Sequence, residues 1–187
     1  MSFPNFTTLN ICLWAGPGVG KSVSAASLFC DLKLAGIATE LVTEAAKPRQ
    51  YDGTLGHTPQ IVILKDQLRM LMASQGWVEA IVTDAPPAIS LLYAKPEELE
   101  EVHELLVPTA MLKTWNVLLH RDLDEGYETT GRWQSKSQAK AFHDDVVVPF
   151  VRQQPSDMFL ELHVSEVKSR LLPLLQHVLR NRAKDPQ

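Results

Sequence analysis

Short apolar runs alternate along this chain with longer stretches whose apolar residues recur at helical spacing. Leu9–Trp14 (LNICLW) is an apolar run that reads as a buried first strand. Residues 21–35 follow as a helix, with Ala25, Phe29 and Leu32 on one face and Gly36 as its stop. Residues 38–42 read as the second strand, ending at Thr43 and Glu44. Residues 47–55 are rich in turn formers and read as a loop. Thr58 and Pro59 make an N-cap and first-turn pair for a helix whose apolar face is Ile61, Leu64, Leu68 and Leu71, closed by Gly76.

The second half repeats the pattern. Residues 77–83 (WVEAIVT) form a third strand, closed by Asp84, Pro86 and Pro87. Pro96, Glu97 and Glu98 open a helix with acids in its first turn, where the helix dipole favours them. Residues 115–119 form a fourth strand, and the polar, glycine-punctuated residues 121–133 read as a loop. Ser135 and Gln138 make a capping box for a helix bearing Ala139, Phe142 and Val146, which Pro149 ends or bends. Residues 158–164 are the fifth strand; a final helix, with Pro173 inside it, starts at Ser165, and the last residues read as frayed. Short apolar strands alternating with helices predict an α/β fold: a parallel five-stranded sheet covered by helices on both faces.

Composition narrows the class. The 187 residues are enough for one domain with a sizeable core, and neither a repeat nor a linker divides them. No apolar run approaches the roughly 18–20 residues that span a membrane, and the N-terminus lacks the features of a signal peptide. Two cysteines, Cys12 and Cys30, are too few for a disulfide framework and read as buried reduced thiols, which predicts a cytoplasmic protein. The net charge of −4 is unlike that of a nonspecific nucleic-acid coat protein, although charge can be local.

The chemistry is concentrated after the first strand. Ala15, Gly16, Pro17, Gly18, Val19, Gly20, Lys21 and Ser22 fit the phosphate-loop pattern of glycine, four residues, then Gly-Lys-Ser/Thr, with Ala15 in the first glycine position. Glycines let the backbone turn its N–H groups inward, and the following helix adds the positive end of its dipole, so an anion nest forms. Lys21 is expected to reach the β- and γ-phosphates of ATP. The Ser22 hydroxyl is expected to ligate Mg²⁺, and Asp84, an acid at the end of the third strand, to hold the ion through water. The fold class is therefore a P-loop NTPase three-layer sandwich.

P-loops serve GTPases, ATP-driven machines and small kinases. No Asn/Thr-Lys-x-Asp segment follows a strand to read guanine, and the chain is too short for the added helical domain of an AAA-type machine. Arg121 after the fourth strand and Arg132 in the next loop suit a kinase lid, over about residues 121–136, that closes on the phosphates and excludes water.

The segments WAGPGVGKS, ELVTEAAK, IVTDAPP and LHRDLDEGYETTGRWQSKSQA resemble small phage-type P-loop kinases, relatives of thymidylate and deoxynucleoside kinases, and in particular phage 5-hydroxymethyluracil DNA kinases. The resemblance runs from about residue 9 to residue 151. It implies an ATP-dependent phosphotransferase with an alcohol acceptor: the hydroxymethyl group of 5-hydroxymethyluracil in phage DNA, phosphorylated as one step of thymidine hypermodification in the host cytoplasm. It also implies that Glu44 takes the acceptor's proton, with Lys21, Asp84, Arg121 and Arg132 completing the catalytic set. Ala45 follows Glu44 where that group carries a bulkier, often aromatic residue.

Alternatives stay open beside this. Glu44 also reads as a solvated strand-end acid, and Asp84 as a competing base. Lys47 and Arg49 read as acceptor-phosphate contacts or as surface charges, and Gln67 and Arg69 as neighbours of the acceptor base or as a solvated helix face. Lys136 and Lys140 are candidates for DNA phosphates. A free deoxynucleotide or nucleoside kinase and a non-catalytic ATP-binding regulator are the other functional readings. The oligomeric state is open, a homodimer included.

Overall fold

The computed structural model describes residues 6–122 and 135–182. The expected lid therefore falls largely, and Arg132 wholly, outside the described residues. Five parallel strands form one sheet: β1 (Leu9–Trp14), β2 (Thr39–Val42), β3 (Ala80–Thr83), β4 (Lys113–His120) and β5 (Met158–His163), in the order β2-β3-β1-β4-β5. The predicted five-stranded α/β architecture holds.

β1 lies at the centre, paired with β3 from Leu9↔Ala80 and with β4 from Leu9↔Lys113. All six of its residues are buried, as a strand covered on both faces requires. Side chains alternate across the sheet. Leu9, Ile11 and Leu13 pack with Leu28 and Leu32 of α1 (Lys21–Leu34) and with Leu175 and Leu179 of the C-terminal helix. Cys12 and Trp14 point the other way, into a cluster with Val147, Val148 and Val151. Trp14 donates its indole N–H to Asn116 Oδ1 at 2.9 Å, which satisfies the one polar atom of this buried ring.

Several boundaries differ from the sequence reading. The third strand begins only at Ala80, where its register with β1 and β2 starts; Trp77 lies in the preceding turn, half exposed. Residues read as loop hold a short helix, α2 (Ala46–Tyr51), with Pro48 in its first turn, where a missing N–H costs nothing. The predicted Thr58 cap of α3 (Gln60–Ala73) is not made: the N-cap residue is Pro59, which has no side-chain acceptor, and the Glu98 carboxylate takes the first N–H groups, of Gln60 and Ile61, from outside the helix. Its buried face is Ile63, Leu64, Gln67 and Leu71 rather than the predicted stripe through Ile61 and Leu68. Cys30 is exposed on α1, two residues past Leu28; only Cys12 is buried, and burial pushes its thiol up to about 12.

α4 (Leu99–Leu106) follows a Pro96–Glu98 turn, as predicted. The capping box at Ser135 is present and opens α5 (Lys136–Ala141). Pro149 does not end this helix. It continues through a π-helical stretch, Phe142–Val147, into α6 (Val148–Val151). Pro173 behaves alike: π-helical Val167–Leu171 leads into α7 (Leu172–Arg182). A proline ring clashes with the carbonyl four residues back, and a wider turn just before it relieves that clash. Among the described residues, no helix is long and apolar enough to cross a membrane.

Candidate active site

Parallel strands bring all their carboxyl ends to one edge of the sheet, and the loops that leave it carry the candidate residues. Residues 15–20 leave β1, Thr43 to Ala45 leave β2, Asp84 follows β3, and Arg121, half-buried, follows β4. The loop after β1 turns into α1 at Gly20, whose φ of 112° is a backbone conformation that side chains with a Cβ rarely adopt.

Within this loop the residues divide. Ala15, Gly16 and Val19 are buried, Ala15 and Val19 in the main core, whereas Pro17, Gly18, Gly20, Lys21 and Ser22 line a cavity of about 1000 Å³. Ala15 can replace the usual glycine because its methyl group joins that core. Lys21 Nζ donates to the carbonyls of Ala15 at 2.8 Å and Gly16 at 3.3 Å, so its ammonium stands at the mouth of the loop. Ser22, in the first turn of α1, is exposed.

Glu44 and Asp84 line the same cavity, with Lys47, Gln67 and Tyr93. The Glu44 carboxylate is wet, because the cavity is open, yet protein crowds it on its other sides. That crowding raises its pKa above the ordinary carboxylate range; the Lys21 ammonium works against the rise, Asp84 adds to it, and Lys47 opposes it. Glu44 thus feels the charges of both other principal candidates. Asp84 is only 4% exposed, and its Oδ1 has no hydrogen-bond partner among the described residues. The Tyr93 hydroxyl is pushed up to about 12, first by burial and then by Glu44, and stays protonated.

Gln67 is buried, not on a solvated face. Its Oε1 accepts the Ala45 N–H at 2.9 Å, pinning the turn that carries Glu44, while its Nε2 is buried without a partner among the described residues. Arg49 pairs with Asp66 and donates to Ala45 O at 2.9 Å, tying α2 to α3. Arg69 is exposed on α3. Lys140 pairs with Asp144 at 2.5 Å, and Lys136 opens α5.

The sequence reading missed Gln67 as a buried residue, Tyr93 and Lys95 as cavity residues, and His143. His143 sits behind the phosphate loop and accepts the Gly16 N–H on Nδ1 at 3.0 Å. A signal for it existed: Ala139, His143, Val147 and Val151 recur every four residues, and all are buried.

The sequence matches no protein-family model and no curated protein. Among solved structures the chain is similar to shikimate kinase from Bacteroides thetaiotaomicron, with a TM-score of 0.50 and 12% identity, over 90% of this chain and 98% of that one. It is also similar to a mutant APS kinase from Mycobacterium tuberculosis, with a TM-score of 0.45 and 12% identity, over 92% of this chain and 99% of that one. At such identities the likeness is one of fold: the chain has the α/β fold of P-loop kinases.

Proposed function

We propose that this chain is an ATP-dependent phosphotransferase whose acceptor is the 5-hydroxymethyl group of uracil within DNA. One observation carries the kinase reading: Lys21, Ser22, Glu44 and Asp84 line a single cavity of about 1000 Å³. That is the upper end of the range for small-molecule sites, with room for a second substrate beside a nucleotide. The shared fold with shikimate kinase supports the reaction class. The choice of acceptor rests on the four sequence segments that resemble 5-hydroxymethyluracil DNA kinases.

The residues divide the work as follows. The N–H groups of the loop and the Lys21 ammonium hold the β- and γ-phosphates and stabilise charge that builds during transfer. The exposed Ser22 hydroxyl and the unpartnered, buried Asp84 Oδ1 fit a magnesium site, and that ion, when bound, neutralises β/γ-phosphate oxygens. Glu44 accepts the proton of the acceptor hydroxyl as its oxygen bonds to the γ-phosphorus and ADP leaves. Gln67 keeps the Glu44 turn in register through Ala45 and has amide donors left for an acceptor carbonyl. A base inside a duplex must leave the stack to reach this cavity, at a cost of a few kcal/mol.

A second reading, phosphorylation of a free deoxynucleotide or nucleoside, has its own support. The net charge is −4, and Arg49 and Lys140, candidates for DNA phosphates, are held by Asp66 and Asp144. The deciding experiment offers ATP with 5-hydroxymethyluracil DNA, ordinary DNA, and free deoxynucleotides and nucleosides. Mass spectrometry of digested nucleosides is expected to find phosphomethyl-deoxyuridine from the first substrate alone, in a yield that falls with added salt as DNA contacts are screened. Efficient transfer to a free deoxynucleotide with none to DNA gives the case to the second reading. ATP binding without transfer to any acceptor leaves a regulatory nucleotide switch.

A further inference from the structure

Gly16 lies in the phosphate loop, but its N–H does not face the cavity. It points back into the protein and donates to His143 Nδ1. The approach is close: a Cβ at position 16 would stand 2.6 Å from His143 Cβ and 3.3 Å from Ala139 O. No side chain fits there, so the glycine serves contact with the helix behind the loop as well as the turn itself. A backbone N–H can only donate, so Nδ1 must be bare and the neutral ring carries its proton on Nε2. That nitrogen lies 3.2 Å from His120 Nδ1, and His120 Nε2 lies 3.4 Å from the Glu161 carboxylate, which Arg152 engages with two hydrogen bonds of 2.7 and 3.1 Å. One sequence of donors and acceptors therefore fixes the tautomers of both rings.

We propose that His143 is a positioning residue for nucleotide binding: by accepting the Gly16 N–H it holds the first turn of the phosphate loop in the form that leaves the remaining loop N–H groups for phosphate. The proposal rests on reading residues 15–22 as the nucleotide site. His143 belongs to the π-helical stretch, a local irregularity often found at functional positions. The charged groups around it are Lys21 from the loop, His120 from β4, Lys140 and Asp144 from its own helix, and, beyond His120, Glu161 from β5. Burial first, then His120, pushes its pKa down to about 4; Asp144 opposes this, while Lys21 and Lys140 add to it. The ring is thus neutral near pH 7 and able to accept. Once protonated on Nδ1 it loses the Gly16 N–H and places a cation beside Lys21.

The test measures the affinity of a fluorescent ATP analogue, with magnesium, for the full chain and for His143→Leu and His143→Asn, each checked for folding by circular dichroism. Leucine leaves the Gly16 N–H without an acceptor. Asparagine places Oδ1 close to where Nδ1 stood. The leucine variant should bind about tenfold more weakly or worse, the scale of one stranded buried donor, and the asparagine variant should stay within about threefold of wild type. On acidification toward pH 4 the wild type should lose more affinity than the asparagine variant, which shares every titrating group except this imidazole. Wild-type affinity in a folded leucine variant, equal losses in the two substitutions, or matching acid limbs in wild type and asparagine variant would each overturn the proposal. If the leucine variant does not fold, the comparison of acid limbs decides alone. Failure of the wild type to bind the analogue at neutral pH is a different result: it removes the phosphate-loop reading, and the positioning role with it.

Discussion

The cavity wall and the layer behind the phosphate loop treat buried polar atoms in opposite ways. Two buried side-chain polar atoms of the cavity wall, Gln67 Nε2 and Asp84 Oδ1, lack a partner among the described residues, whereas the Glu98 carboxylate beside them is held by backbone N–H groups of Lys95, Gln60 and Ile61. Behind the loop, Trp14, Asn116, His143 and His120 each hand a hydrogen bond to the next group or accept one. Stranded polar atoms cost stability, so a fold keeps them where a ligand will meet them. Paired ones hold shape. The first region is built for partners that come and go, the second for permanence.

The largest break in that contrast is expected at Lys21. Lys21→Ala should lower phosphoryl transfer by about 10³-fold or more, because one preorganised charge on the developing transition state is worth that much. The melting temperature should hardly move, and transfer at the wild-type rate by the folded variant would end the assignment. Glu44→Gln comes next, with a loss of about 10²–10⁴-fold in kcat, the usual worth of a positioned base. Its sign with pH is defined. The Glu44 pKa lies above the ordinary carboxylate value of 4.5 in the ligand-free protein, so wild-type kcat/KM should fall on acidification from a higher pH than for an unperturbed carboxylate. This limb should be absent in the glutamine variant; if it persists there, another group is the base.

Asp84→Asn sharpens the comparison, because its two effects point in opposite directions. Magnesium-dependent transfer should drop by about 10²–10³-fold, as for a lost transition-state contact. The nucleotide-free protein should melt at the same temperature or higher, since an unpartnered buried carboxylate has been removed. A markedly lower melting temperature would mean that Asp84 is structural. The smallest effect is the mirror image. Asn116→Ala strands the Trp14 indole N–H and should cost about 1–3 kcal/mol of stability by chemical denaturation, with kcat per folded molecule unchanged.

The strands and the phosphate loop were legible because their signals are local. An apolar run, a glycine pattern and a helix start lie within 14 residues, from Leu9 to Ser22. Asp84 and Glu44 were legible because acids at strand ends stand on the catalytic edge of any parallel sheet. Gln67 was not, because hydrophobic periodicity has no symbol for an amide buried to catch a backbone N–H. α2 was hidden by Pro48, which reads as a breaker unless the first turn is already located. His143 was hidden by the π-helical stretch: an extra residue in one turn shifts the buried face, so the predicted Phe142 and Val146 gave way to His143 and Val147. That wider turn is a local accommodation to Pro149, and the four-residue spacing of Ala139, His143, Val147 and Val151 is its trace in the sequence.

The central place of β1 has a consequence for how the chain is made. The strand that binds the whole sheet together is synthesised first, yet its partners Ala80 and Lys113 emerge roughly 70 and 100 residues later. At ribosomal rates of about 5–20 residues per second, LNICLW waits about 5–20 s before β4 reaches it. Until β3 emerges, six residues destined for full burial have both hydrogen-bonding edges open, and until β4 follows one edge still lacks its native partner. Production of this protein should therefore depend on holdase chaperones and on temperature more steeply than the stability of the finished fold would imply.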